Sequence, residues 1–174
     1  MRIFLVGFMG AGKSTLGREL APLMNMQFVD LDQEIETRAG KGIPAIFAAE
    51  GEAHFRDLEK QMLHEVIEKD NIIVACGGGT PCYFDNMDVM NKSGVTIYIK
   101  MSTDALTERL QQDGSRPLIN DLNNGELWQW IHTTLEDRET FYLQSQYKVK
   151  GKGLKASELA EFVRLFVLGE KAEA

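Results

Sequence analysis

Short apolar runs rich in β-branched residues alternate along the chain with longer segments whose apolar residues recur at helical spacing. The short runs predict strands over residues 2–6, 27–30, 71–75, 95–100 and 147–149. Between the first two, Leu16, Leu20, Leu23 and Met24 mark a helix over 13–24, which Pro22 is expected to end early or kink. Further helices are predicted over 57–68, 103–111, 127–143 and 157–168, with Ser102 and Ser157 as candidate N-caps. This alternation is that of βαβ units around a buried parallel sheet. Two glycine-marked or polar stretches interrupt it and read as functional loops: 40–51, and 111–125 around the small apolar island Pro117-Leu118-Ile119.

A length of 174 residues predicts one domain, and 44% hydrophobic with 26% charged residues is the composition of an ordinary globule. Such a chain can bury roughly 70% of its unfolded surface without disulfides, so Cys76 and Cys82 are expected to be free thiols. The 26 acidic residues outnumber the 19 basic ones, for a net charge of -7. That argues against broad binding to nucleic acid or anionic membranes, which demands a basic face. Arginines that matter are then expected in a local pocket. Arg2 and the apolar run after it could pass for a signal peptide, but Gly7, Gly10, Gly12 and Lys13 break the run. No later segment approaches the ~18 apolar residues of a membrane span, and a cytoplasmic location is expected.

The strongest chemical signal is Gly7-Phe8-Met9-Gly10-Ala11-Gly12-Lys13-Ser14, which fits G-x-x-x-x-G-K-[ST] after a predicted strand and at the opening of a predicted helix. Glycines let consecutive backbone N–H groups turn inward on an anion, and the helix adds the positive end of its dipole. Lys13 supplies a point charge for the outer phosphates and Ser14 a hydroxyl for Mg²⁺. Gly10, Ala11, Gly12, Lys13, Ser14 and Thr15 are thus the candidate ATP cradle. The motif predicts a bound nucleoside triphosphate without deciding between hydrolysis, transfer and sensing.

The second strand ends in Asp30-Leu31-Asp32, and residues two apart in a strand point to the same side. Two carboxylates are therefore expected at the carboxyl end of the sheet, where open α/β folds bind ligands, one near Mg²⁺ and one near the acceptor. The third strand lacks the acid of a Walker B strand and runs into Cys76-Gly77-Gly78-Gly79-Thr80, which leaves Asp30 as the best metal-side acid. Three successive glycines allow the backbone to approach a ligand closely. Of eight arginines, Arg56, Arg109, Arg116 and Arg138 stand in suggestive places, and guanidinium forks match carboxylate and phosphate geometry. His54, His64 and His132 lack metal-ligand spacing, and Trp128 and Trp130 cannot share one helical face, so at most one is expected in the core.

Taken in order, Gly7 to Ser14, Asp30-Leu31-Asp32, Gly51-Glu52 followed by Phe55-Arg56, Gly77-Gly78-Gly79, Arg116-Pro117-Leu118, and Arg138 followed by Tyr142 closely resemble the shikimate kinase family over nearly the whole chain. The resemblance implies a single domain over 1–174 with a three-layer α/β P-loop kinase fold. Its five-stranded parallel sheet would run in the order 2-3-1-4-5, with helices on both faces, a substrate-binding segment at about 32–60 and a mobile lid at about 111–125. The implied reaction is ATP-dependent phosphorylation of the 3-hydroxyl of shikimate, on the route to chorismate and the aromatic amino acids, with Mg²⁺ as cofactor. By position, Asp32, Arg56, Gly78, Gly79 and Arg138 would hold shikimate, the arginines on its carboxylate and Asp32 on its hydroxyls. Arg116 would close with the lid over the transferring phosphate, Arg109 would stack on adenine, and Ser14 and Asp30 would serve Mg²⁺, Asp30 through water. Lys13, Asp32 and Arg116 are then the expected catalytic residues, with Asp32 accepting the hydroxyl proton late.

A monomer with shikimate and ATP as its partners, and neither nucleic acid nor membrane, is expected. The chain departs from the family pattern at Cys76, where Thr or Ser is common, at Ile119, where Leu is usual, and over 149–155, where the adenine-side loop has no firm match. Two other readings share the phosphate loop: a gluconate-type sugar-acid kinase, and a nucleotide-sensing module without an acceptor. The set Asp32, Arg56 and Arg138 at these spacings favours shikimate.

Overall fold

The computed structural model describes residues 1–112 and 122–169. Strand β1 (Arg2–Val6) is apolar and fully buried from Ile3 onward, as a strand covered on both faces must be. It is the middle strand of an all-parallel sheet with β2 (Gln27–Asp30), β3 (Ile72–Ala75), β4 (Val95–Lys100) and β5 (Tyr147–Lys150), in the order β2-β3-β1-β4-β5. Asp30 stands opposite Ala75 and Ala75 opposite Leu5, so three strands end at nearly one level. Chain segments leaving those ends are brought together there.

Helix α1 (Lys13–Leu23) packs on β1, β2 and β3 and against α7 (Ala156–Phe162), which continues into a wider π turn over Val163–Val167. Helix α2 (Leu31–Ala39) packs on α3 (Ile43–Val66), α4 (Asn86–Ser93) on β4, and α5 (Thr103–Gln112) on α6 (Asn124–Tyr142). A single 3₁₀ turn, Thr80–Cys82, joins the glycine run to α4. Among the described residues no helix is long and apolar enough to cross a membrane.

The strands and α1 follow the hydrophobic pattern, and α1 ends one residue after Pro22. The stretch 40–51 does not remain a loop. Its glycines serve two local purposes: Gly40 (φ 65) ends α2, and Gly51 (φ 83, ψ 173) breaks α3 in mid-course. Between them Ile46 is fully buried, and that burial outweighs the glycine signal. Helices α2 and α4 had no predicted counterpart. The reason for α2 is a cap: the Asp30 carboxylate accepts from the backbone N–H of Asp32 and of Gln33 at 3.1 and 3.4 Å, so the chain turns helical as soon as β2 ends.

Ser102 does cap α5, accepting from Ala105 N at 3.3 Å, but Ser157 caps nothing. Lys155 holds that position at α7, where the Glu158 carboxylate accepts from its backbone N–H at 3.0 Å. Trp130 packs edge-on to Phe8 with 5.9 Å between ring centroids, whereas Trp128 is exposed and donates to Asp104 at 2.7 Å. The polar segment expected over 111–125 opens with the end of α5 and closes with the start of α6. Arg116, the 117–119 island and the expected lid between them lie outside the described residues.

Helix α6 starts earlier than its hydrophobic spacing predicts because a capping box sets its first turn. Asn123 Oδ1 accepts from Gly125 N and Glu126 N at 3.0 and 3.1 Å, and the Glu126 carboxylate accepts from Asn123 N at 2.9 Å. Asn123→Ala is expected to lower stability by about 0.5–2 kcal/mol and the melting temperature by roughly 1–8 °C. Thermal melts followed by circular dichroism measure this, and an unchanged midpoint would show that the box contributes nothing.

Candidate active site

Gly10, Gly12, Lys13, Ser14, Thr15, Asp30, Asp32, Gly78 and Arg109 line one cleft of about 320 Å³, completed by Met9, Cys76 and Leu110. The phosphate loop enters it from β1. Gly10 and Gly12 have φ of 78 and 93°, the left-handed region where a side chain would be strained. Gly12 is the N-cap of α1 and brings no side chain to it, so the cap residue does not compete for the first amides of the helix. Lys13 is only 8% exposed and folds back over the loop, its Nζ donating to the carbonyls of Gly7 and Phe8, both at 2.8 Å. Ala11 is buried in the core, and its N–H donates to Phe8 O at 3.2 Å; its part is to shape the loop.

Arg109 reaches from the last turn of α5 to the far side of the loop, its Nη1 donating to Gly10 O at 3.2 Å and Ala11 O at 3.3 Å. There it borders a second concavity of about 220 Å³ with Thr15, Glu19, Gly151 and Leu154. The stretch 149–155, which has no firm match in the family pattern, is thereby brought beside Arg109.

On the other side of the cleft the glycine run is a hub for side chains. A methyl group on Gly77 would lie 2.6 Å from Asp32 Oδ1 and 2.8 Å from Glu59 Oε1. One on Gly78 would lie 3.3 Å from Met9 N and 3.5 Å from Arg138 Nη1, and one on Gly79 only 2.5 Å from Arg56 Nη1. The three glycines therefore admit not only a ligand but also the acid and both arginines. The Tyr142 hydroxyl donates to Gly78 O at 2.6 Å and holds the middle of the turn. Arg138, one helical turn before Tyr142, lies 5.8 Å over the Phe8 ring.

Arg56 does not line the cleft itself. It is 7% exposed, with Nη1 bonded to the carboxylate of Glu59 and with Nε and Nη2 donating to Glu52 Oε1 at 3.2 and 2.8 Å. The Tyr83 ring lies 4.1 Å from its guanidinium carbon. Glu59 is 1% exposed and also accepts from the Thr80 hydroxyl. Sequence reasoning singled out Arg56 and missed Glu59, although acids and arginines three apart on a helix commonly pair. No local signal points to Tyr83 or Thr80.

Strand alternation is not what brings Asp30 and Asp32 together. Asp30 closes β2 and caps α2, while Asp32 stands in the first turn of that helix, and both face the cleft because the helix starts at once. Burial raises the Asp32 carboxyl from its ordinary 3.8 to about 6, with the Glu59 and Asp30 carboxylates adding to the rise and Lys13 opposing it. Burial also pushes the Cys76 thiol far up, and its Sγ contacts Met90 Sδ at 3.5 Å, so it is packing and not a nucleophile. The Ser14 hydroxyl and the Asp30 carboxylate are hard oxygen donors lining the same cleft and fit Mg²⁺. Among the described residues no three His, Cys, Asp or Glu side chains are grouped so as to hold a metal ion.

A parallel 2-3-1-4-5 sheet with a lysine-bearing glycine loop after its middle strand, and an acid-and-arginine pocket across the cleft, defines the P-loop kinases. Residues 9–166 match the family model described as shikimate kinase. A shikimate kinase of Parabacteroides distasonis is 47% identical over 145 residues, which cover 83% of this chain and 84% of that one. The crystal structure of the shikimate kinase from Bacteroides thetaiotaomicron matches with a TM-score of 0.91 at 41% identity, covering 95% of this chain and 99% of that one. That of the shikimate kinase from Acinetobacter baumannii, in complex with shikimate, matches at 0.87 and 33%, covering 99% and 95%. The chain belongs to the shikimate kinase family and is an ATP-using phosphotransferase.

An acid whose folded pKa is raised binds its proton more tightly folded than unfolded, so ionising Asp32 between about pH 4 and 6 lowers stability, and the penalty is complete above that window. Asp32→Asn is therefore expected to be more stable than the parent at pH 7.5, by up to about 3 kcal/mol, with the gap closing by pH 4. Urea unfolding at both pH values measures it. A gap of the same size at pH 4 would assign the effect to packing and not to charge.

Proposed function

We propose that the chain transfers the γ-phosphoryl group of ATP to the 3-hydroxyl of shikimate, giving shikimate 3-phosphate and ADP on the route to chorismate. The observation that carries this reading is the glycine hub, which sets Asp32, Arg56 and Arg138 around one turn directly across from the phosphate loop. An acceptor that is both an anion and a polyol suits such a pocket. Its carboxylate meets Arg56 and Arg138, its hydroxyls meet Asp32, and the backbone at Gly78 and Gly79 closes against its ring.

The amides of Gly10, Gly12, Ser14 and Thr15 hold the phosphates while Ala11, its N–H bonded to Phe8 O, shapes the loop, and Lys13 moves from the loop carbonyls to the outer phosphate oxygens. Arg109 stacks on adenine at the concavity it shares with Gly151 and Leu154. Arg116 approaches the transferring group from the lid segment at about 111–125. With a carboxyl near 6, Asp32 is mostly ionised at neutral pH, orients the 3-hydroxyl by accepting its hydrogen, and takes the proton late. Mg²⁺, held by the Ser14 hydroxyl and by Asp30 through water, would neutralise charge on the phosphate oxygens. In this reading 1–174 is one domain, a cytoplasmic monomer, with its acceptor segment at about 32–60.

Incubation with Mg-ATP and shikimate, with the product identified by mass and NMR, tests the reaction. Turnover of gluconate in place of shikimate would redirect the reading to a sugar-acid kinase, and ATP binding without any acceptor-dependent turnover to a nucleotide sensor.

Lys13→Ala is expected to abolish turnover and leave the protein folded, since its bonds to the carbonyls of Gly7 and Phe8 lie within the loop. A variant that melts normally and keeps most of its activity would refute the cradle assignment. Arg138→Lys keeps the charge but loses the fork, and shikimate binding should weaken by about 1.5 to 3 kcal/mol with ATP binding nearly unchanged. Calorimetric titration of the two ligands separates this from a general loss of structure, which would weaken both.

A further inference from the structure

Arg56 has a back and a front. At the back its Nη1 is bonded to Glu59, a carboxylate with no access to solvent that is tied also to Thr80. At the front its Nε and Nη2 both donate to Glu52, whose side chain is 53% exposed. The Tyr83 hydroxyl donates to the same Glu52 oxygen at 2.8 Å. Arg56, Tyr83 and, from across the pocket, the charge of Arg138 all hold the Glu52 carboxyl below the usual range. A carboxylate of the chain itself thus already lies under the influence of the two arginines assigned above to the carboxylate of the acceptor.

We propose that Glu52 is a resident substitute for the acceptor's carboxylate, displaced when shikimate binds, and that it sets the affinity and anion selectivity of this pocket. The inference rests on the acceptor site described under the proposed function. Glu52 takes both hydrogens of the front edge, Nε–H and one of Nη2, and a second carboxylate set beside it would meet like-charge repulsion. Substrate gains the front edge by exchange with Glu52. The exchange leaves the charge of the pocket unchanged and never strips a buried arginine of its front partner, which would be strongly unfavourable. Glu52 can leave because its side chain is half exposed and because α3 breaks at Gly51, where even an added methyl group would meet no described residue within 4 Å. A small anion that can meet Arg56 but not Asp32 gains too little to evict Glu52, whereas shikimate engages both sides of the hub.

Calorimetry on the full chain with shikimate, its carboxamide and benzoate, in the parent, Glu52→Gln and Glu52→Asp, tests this. Glu52→Gln keeps an oxygen that can accept at the front edge but removes its charge, so shikimate should bind about three- to tenfold tighter as the binding-competent fraction rises. Benzoate should gain measurable affinity there, the neutral carboxamide should gain none, and Glu52→Asp, one methylene shorter, should fall between. Unchanged or weaker binding of both carboxylates to a Glu52→Gln protein that melts like the parent would overturn the proposal and make Glu52 a support that holds Arg56 in place. A parent that neither binds nor phosphorylates shikimate would instead defeat the acceptor reading, and benzoate would still report on Glu52.

Discussion

The glycine hub of the cleft depends on the buried ion pair between Arg56 and Glu59. Neither group has appreciable access to water, and removing one partner from such a pair leaves an uncompensated buried charge, at a penalty of about 3–5 kcal/mol. The pair is supported on both sides: Thr80 donates to Glu59, Glu52 accepts from Arg56, and the ring of Tyr83 covers the guanidinium. The glycines of the 77–79 turn follow from it. With Arg56 at Gly79 and Glu59 and Asp32 at Gly77, no Cβ fits at either position without moving a charged group.

The same pair shapes the chemistry at Asp32. Glu59 adds its charge to the burial of Asp32 and lifts that carboxyl toward neutrality, while Lys13 pulls it back. A carboxylate near 6 is more basic than a surface aspartate, yet ionised at neutral pH, a condition suited to a group that orients a hydroxyl and accepts its proton only late in a loose transition state. In the proposed reading, stability is given up at Asp32 for that readiness, as is common where charge must be poised.

An acidic chain that handles anions needs its positive charge to be local. Lys13 and Arg109 gather at the loop and Arg56 and Arg138 at the hub, inside a protein of net charge -7. In the free protein these groups are partly satisfied from within: Lys13 and Arg109 by loop carbonyls, Arg56 by Glu52. In the proposed reading ligand binding is an exchange of partners, with affinity set by the difference between internal and external contacts.

Residues close together in sequence made the strands, α1, the phosphate loop and the pairing of Asp30 with Asp32 in one cleft legible, because β-branched runs and spaced glycines act over a few bonds. The order of motifs along the chain carried the family, and with it the sheet order. Tertiary structure decided what depends on contacts between distant residues. Buried Ile46 overrode the glycines of 40–51, and the cap supplied by Asp30 moved Asp32 from strand to helix. Tyr142 meets Gly78 from 64 residues away and Arg109 meets Gly10 from 99, and neither contact leaves a local mark. Glu52 shows the division most plainly: its place in the motif could be read from the sequence, but its occupation of the front of Arg56 exists only once α3 has been buried and Tyr83 brought to its face, because a hydrogen bond requires atoms within about 3 Å and sequence order does not set that distance.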